Sequence, residues 1–127
     1  MATANSVDEL IVYQKAVKAA ADVSEILKRP SFQKDFRLRE QLGSSSERVA
    51  SLISEGFEQS TDRHFAEYCY RSRGSSREVR TQLVVATTRG HTIEAECVSL
   101  TMTYEEIAKM LTGLIRHLQK EDRRNRR

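Results

Sequence analysis

The chain has 127 residues, of which 39% are hydrophobic and 31% charged, with a formal net charge of +3. That length suits one domain around one core, and one proline and five glycines are too few for a many-turned β protein. No run of about 18 apolar residues is present to cross a membrane, and Met1–Glu9 lacks the basic start and apolar stretch of a secretory signal, so a cytoplasmic location is expected.

The first predicted helix covers about residues 7–29. Leu10, Tyr13, Val17, Ala20 and Leu27 share one face at helical spacing and are expected in the core. Val12, Ala16, Ala19, Val23 and Ile26 form a second stripe about 100° away, so the apolar arc is wider than one core stripe needs. Asp8 and Glu9 suit the N-terminal dipole, Lys28 and Arg29 the C-terminal end, and Pro30 ends the helix.

The second helix is expected over about residues 35–59, with Leu38, Leu42, Ser45, Val49, Leu52 or Ile53, and Gly56 inward. A helix-interior glycine costs about 1 kcal/mol relative to alanine, so Gly56 implies a close neighbour. Ser60-Thr61-Asp62 is a strong N-cap cluster for a third helix over about 62–89. Its inward face carries Phe65, Tyr68, Ser72, Ser75, Val79, Gln82 or Leu83, and Ala86, and Gly90 stands where a helix C-cap glycine belongs. The fourth helix, about 93–121, carries Ile93, Cys97, Leu100, Tyr104, Ile107, Leu111, Leu114 and Leu118 in unbroken threes and fours. Short loops near 30–34, 59–61 and 90–92 make successive helices antiparallel neighbours. The expected fold is all-α, an antiparallel up-down-up-down four-helix bundle over residues 1–121, followed by a basic disordered tail at 122–127.

Catalytic and metal chemistry find no anchor. A di-iron bundle needs Glu-x-x-His on two helices, whereas His64-x-x-Glu67 and His91-x-x-Glu94 have the reverse order. Cys69 and Cys97 are isolated and read as reduced thiols serving as small hydrophobes. No Gly-rich phosphate loop is present. The Gly43-Ser44-Ser45-Ser46 and Gly74-Ser75-Ser76 runs fall inside periodic helices, where small residues serve helix contacts. No metal, no cofactor and no enzymatic activity are expected.

Apolar residues remain after one core is filled. The second stripe of the first helix (Val12, Ala16, Ala19, Val23), Val84 and Val85, and Val98 with Met102 are candidates for a self-association interface.

Charge is uneven: Arg116–Arg127 holds six basic and two acidic side chains, residues 1–115 hold 15 and 16. Arg116, Lys120, Arg123, Arg124, Arg126 and Arg127 form a dense tail suited to nucleic-acid phosphates, or to solubilising a helix end. Arg73, Arg77 and Arg80 fall within about 60° of one another, opposite the core face. They suit phosphate oxygens, or pairing with Glu94, Glu96, Glu105 and Glu106 in the same or a neighbouring subunit. No aromatic residue interleaves with these cations along the chain, so stacking of single-strand bases is not expected.

The run Leu38-x-x-Gln41-Leu42, Ser46-x-x-Val49-x-x-x-Ile53-Ser54-Glu55-Gly56, Phe65-x-x-Tyr68, Arg73-Gly74-Ser75-x-x-Glu78-Val79-x-Thr81-Gln82-Leu83 and Ile107-x-x-Met110-Leu111-x-Gly113-Leu114-Ile115-x-x-Leu118 resembles a known family. It is similar to the bacterial four-helix bundle proteins encoded in intervening sequences of large-subunit rRNA genes, and to the accessory variability proteins of diversity-generating retroelements. The family usually reads Asn-Ile-Ala-Glu-Gly where this chain has Leu52-Ile53-Ser54-Glu55-Gly56, and Ala-x-Gly-Ser where it has Ser72-Arg73-Gly74-Ser75. The resemblance implies a cyclic homopentamer and a polar cluster of Glu55, Gly56, Gly74, Ser75 and Glu78. Its retroelement members bind nucleic acid and a reverse transcriptase. Two functions are expected: a non-catalytic oligomeric adaptor binding RNA or DNA through basic surfaces, or a structural protein-interaction module that binds no nucleic acid.

Overall fold

The computed structural model describes residues 4–126, and these are all-helical, with no strand among them. A single 3₁₀ turn at Val7–Glu9 leads into α1 (Ile11–Leu27), the one-turn α2 (Pro30–Gln33), α3 (Phe36–Phe57), α4 (Asp62–Thr88) and α5 (Glu94–Asn125). Leu10, with extended backbone, separates the turn from α1, so the first long helix starts later than its periodicity predicts. Pro30 takes the first position of α2, where its missing N–H costs nothing; the expected 30–34 loop is therefore a helical turn. Thr61 caps α4, its hydroxyl accepting the His64 backbone N–H at 3.2 Å. Gly90, at φ +83°, turns the chain from α4 to α5.

The long helices touch in the cyclic order α1, α3, α4, α5 and back to α1. Ser72 in α4 bonds the Val49 carbonyl in α3, and Arg48 pairs with Glu78, so these helices run in opposite senses. Arg73 with Thr112, and Gln119 with Tyr70, show the same for α4 and α5. Lys15 with Glu106 and Arg29 with Glu96 repeat it for α1 and α5.

The core collects Val23, Leu42, Val49, Ile53, Val79, Leu83, Tyr104, Ile107, Leu111 and Leu118, each fully buried. Cys69 is among them, and burial pushes its thiol up to about 12. Along the α3–α4 seam the buried residues are small: Ser45, Ser46, Ser72, Ser75, Ser76 and Gly56. Ser46 and Ser76 return their hydroxyls to carbonyls three residues back, and Ser72 crosses to α3 at 2.7 Å. The buried serines of both Gly-Ser runs thus serve helix contact, whereas Ser44 is exposed and accepts from Arg48 on its own helix. Gly74 does not, having nothing within 4 Å of a Cβ built on it.

The two apolar stripes of α1 exchange the roles periodicity assigned them. Val12, Ala16, Ala19 and Val23, expected at a self-association interface, are buried against the chain's own core. Their small size lets α1 sit close to the neighbouring helices, which a Tyr13–Val17 face does not permit. Tyr13, Val17 and Ala20 instead line an outer groove with Ala50, Ser51 and Ser54. Ile93, expected inside, is exposed, and on α5 the deeper burial goes to Ile115, with Leu114 only half-buried.

At the end of the bundle where α1 turns into α2, Phe32 is buried and stacks on His91 with ring centroids 4.3 Å apart. His91 Nε2 lies 2.8 Å from Asp35, which also accepts from Arg89 at 3.0 Å. The His91 and Arg89 contacts hold the Asp35 carboxyl below its ordinary value. Arg29 forms a two-pronged fork with Glu96 and donates to the His91 carbonyl at 3.1 Å. Glu96 also accepts the Ile93 N–H that begins α5, and it is held down to about 2, chiefly by Arg29. Arg29, between α1 and α2, therefore ties that turn to the start of α5 and does more than complement a helix dipole.

Candidate nucleic-acid interface

Arg73, Arg77 and Arg80 recur at i, i+4, i+7 on α4, and Thr112, Lys109 and Glu105 face them from antiparallel α5. The two rows enclose a shallow groove. The arginines were expected opposite the core; instead they border the α4–α5 seam, with Arg73 and Arg80 half-buried. Arg73 donates to Thr112 Oγ1 at 2.9 Å, and its guanidinium lies 4.8 Å from the centroid of the Tyr70 ring.

Tyr70 belongs to a second recess on the same seam, about 430 Å³ in volume, lined by Arg63, Ala66, Glu67, Gln119, Asp122, Arg123 and Arg126. The Arg73–Tyr70 contact stands where the recess meets the groove, so the two lie end to end as an interrupted channel along the α4–α5 seam. Tyr70 is absent from the residues expected at a site, whereas Arg63 stands at the margin of the Arg73–Arg77–Arg80 stripe, and both lie on the arginine side of α4. Tyr70 corrects the expectation that no aromatic residue lies among the cations: Arg63 and Arg73 stand beside it on α4 itself, and only Gln119, Asp122, Arg123 and Arg126 come from across the seam.

The pairing of these arginines with the acids of the last helix does not occur within the chain. Glu96 goes to Arg29 and Glu106 to Lys15. Glu105 lines the groove, yet among the described residues Arg63, Arg73, Arg77, Arg80, Lys109, Arg116 and Arg123 form no ion pair. Arg80 Nε is buried without a hydrogen-bond partner.

The basic tail is not a separate element up to its last residues. α5 runs on to Asn125, and the disorder expected from Asp122 is replaced by helix held by Arg124–Glu121 and Arg126–Asp122 pairs at 3.2 and 3.1 Å. Arg123 and Arg126 fold toward Arg63, while Arg116, Lys120 and Arg124 are exposed along α5. Arg127 lies outside the described residues.

The other sequence candidates scatter. Val84, Val98 and Met102 are 55%, 50% and 63% exposed, whereas Val85 is half-buried against the core. Of the cluster that the resemblance implied, Glu55 borders the α1–α3 groove and Glu78 pairs with Arg48 on the other side of α3. Gly56 and Ser75 are buried, and Gly74 is exposed, so these five residues form no joint site. Among the described residues no group of three or more His, Cys, Asp or Glu side chains is arranged to hold a metal ion. None of the helices described is long and apolar enough to cross a membrane.

A family model described as the 23S rRNA-intervening sequence protein matches residues 8–113. The chain belongs to that family. The match takes in α1 to α4 and most of α5, including the Arg73–Arg77–Arg80 row and its α5 wall up to Thr112; the Arg123–Arg126 end of the channel lies beyond it. No curated protein and no solved structure matches the chain significantly.

Proposed function

We propose that this chain is a non-catalytic, homo-oligomeric, up-down-up-down four-helix bundle that binds RNA or DNA through the α4–α5 channel. One observation carries the proposal: cations distant in sequence, Arg63, Arg73, Arg77, Arg80, Lys109 and Arg123, line two adjoining depressions of one seam with no carboxylate paired to any of them. Unpaired guanidinium forks spaced along a groove suit a phosphate backbone, which they engage without regard to sequence. Val84 continues the arginine row of α4 toward the α4–α5 turn, where Val98 and Met102 are also exposed. That apolar end, together with the α1–α3 groove, offers two different surfaces for head-to-tail association. Such contacts close into a ring where the rotation between successive subunits divides a full turn evenly, and the resemblance to pentameric relatives sets the expected number of subunits at five. Repetition around a ring multiplies the channel and raises avidity.

Binding to generic RNA and DNA over a range of salt concentrations tests the proposal. Log affinity falls linearly with log salt, and removing Arg77 and Arg80 together lessens the slope by about 2, one unit per phosphate contact. Absence of binding at low salt overturns it. A structural module that binds no nucleic acid is then the reading left, and the exposed Val84, Val98 and Met102 favour it.

A further inference from the structure

The two halves of the α4–α5 channel differ in chemistry. The Arg77–Arg80 half is polar and shallow, with no aromatic surface in it. The other half is a recess of about 430 Å³, within the size range of small-ligand sites. Tyr70 lines it, is 45% exposed, and has one ring face covered by the Arg73 guanidinium at 4.8 Å. Arg73 lines the groove and not the recess, so the Tyr70 surface that lines the recess lies outside the guanidinium contact. Gln119 donates to the Tyr70 hydroxyl at 3.4 Å, which steadies the ring from α5. Around the rim, Asp122 is already neutralised by Arg126, leaving Arg63 and Arg123 as unpaired cations against the single acid Glu67.

We propose that this recess holds one nucleotide of a single-stranded polynucleotide, its base stacked on Tyr70 and its flanking phosphates held by Arg63 and Arg123. The inference rests on the nucleic-acid reading of the same channel and narrows it to single strands. A duplex keeps its bases stacked on one another and offers the recess only backbone. A single strand turns a base outward, and an aromatic ring held in place by a cation on its other face is a flat platform on which that base stacks. Because every base has a π face, the recess selects strandedness and not sequence.

The test compares one mixed-sequence oligonucleotide, as a single strand and annealed to its complement, by fluorescence anisotropy at low salt. Tyr70→Ala lowers single-strand affinity by about 5- to 150-fold, the usual range for loss of one stacked base. Tyr70→Phe keeps wild-type affinity, since it retains the ring and loses only the Gln119 bond. Duplex affinity is unchanged in both variants. Tyr70 is exposed, and matching circular-dichroism melts confirm that the variants fold. Single-strand binding that persists unchanged in Tyr70→Ala, or equal losses for single strand and duplex, overturns the stacking site while leaving the basic channel in place. Failure of the wild type to bind either form overturns the channel itself.

Discussion

A Cβ placed on Gly56 would stand 2.7 Å from the Cβ of Tyr68 and 2.8 Å from Cδ1 of Phe65. The glycine is therefore what lets the end of α3 lie against the start of α4. Gly56→Ala is expected to destabilise the protein by about 1–3 kcal/mol through overpacking, outweighing the roughly 1 kcal/mol that alanine gains in helix propensity. Gly74, with open space around it, behaves oppositely, and Gly74→Ala stabilises by about 0.5–1 kcal/mol. Urea unfolding of the two variants checks both signs; a shared sign would place the close approach elsewhere.

The choice between the two apolar stripes of α1 is testable with a core reference. Leu111 is fully buried and Val17 is 44% exposed. Leu111→Ala should cost about 2–5 kcal/mol, and Val17→Ala should stay within about 0.5 kcal/mol of the wild type. A large loss from Val17→Ala in the isolated chain would mean that α1 is rotated from its described orientation.

Acid should loosen the Arg29–Glu96 fork. Glu96 is held at about 2 against an ordinary 4.5, first by Arg29 and then by the Ile93 N–H. A carboxyl depressed in the folded state stabilises it above the unfolded value and loses that contribution as pH falls through the folded value. The wild type should therefore lose melting temperature relative to Glu96→Gln between about pH 4.5 and about pH 2, the difference vanishing at the acid end. Asp35 is lowered too and adds a similar acid loss to both proteins. Parallel curves for the two would show that the fork adds nothing to stability.

The proposed self-association through the apolar end of the α4–α5 face would cover Met102, which is 63% exposed. A charge there carries a desolvation cost in any interface that covers it. Sedimentation velocity should find the wild type associated and Met102→Glu shifted toward the monomer. Equal sedimentation of the two removes Met102 from the interface.

Local pattern determined the helices. The threes and fours from Leu100 to Leu118, the Thr61 cap, Gly90 and Pro30 each act within a few residues, so four long helical segments and their turns are legible without any tertiary knowledge. Family membership was legible for the same reason, being carried by motifs within those helices. Only the tertiary structure decided which way α1 faces, because Val12–Ala16–Ala19–Val23 and Tyr13–Val17–Ala20 are both apolar and the winner depends on how closely the neighbours approach. It also decided the candidate site. Tyr70 and Arg123 are far apart in sequence, and only the antiparallel register of α4 and α5 brings them to one recess, since periodicity along a chain carries no information on what stands across from it.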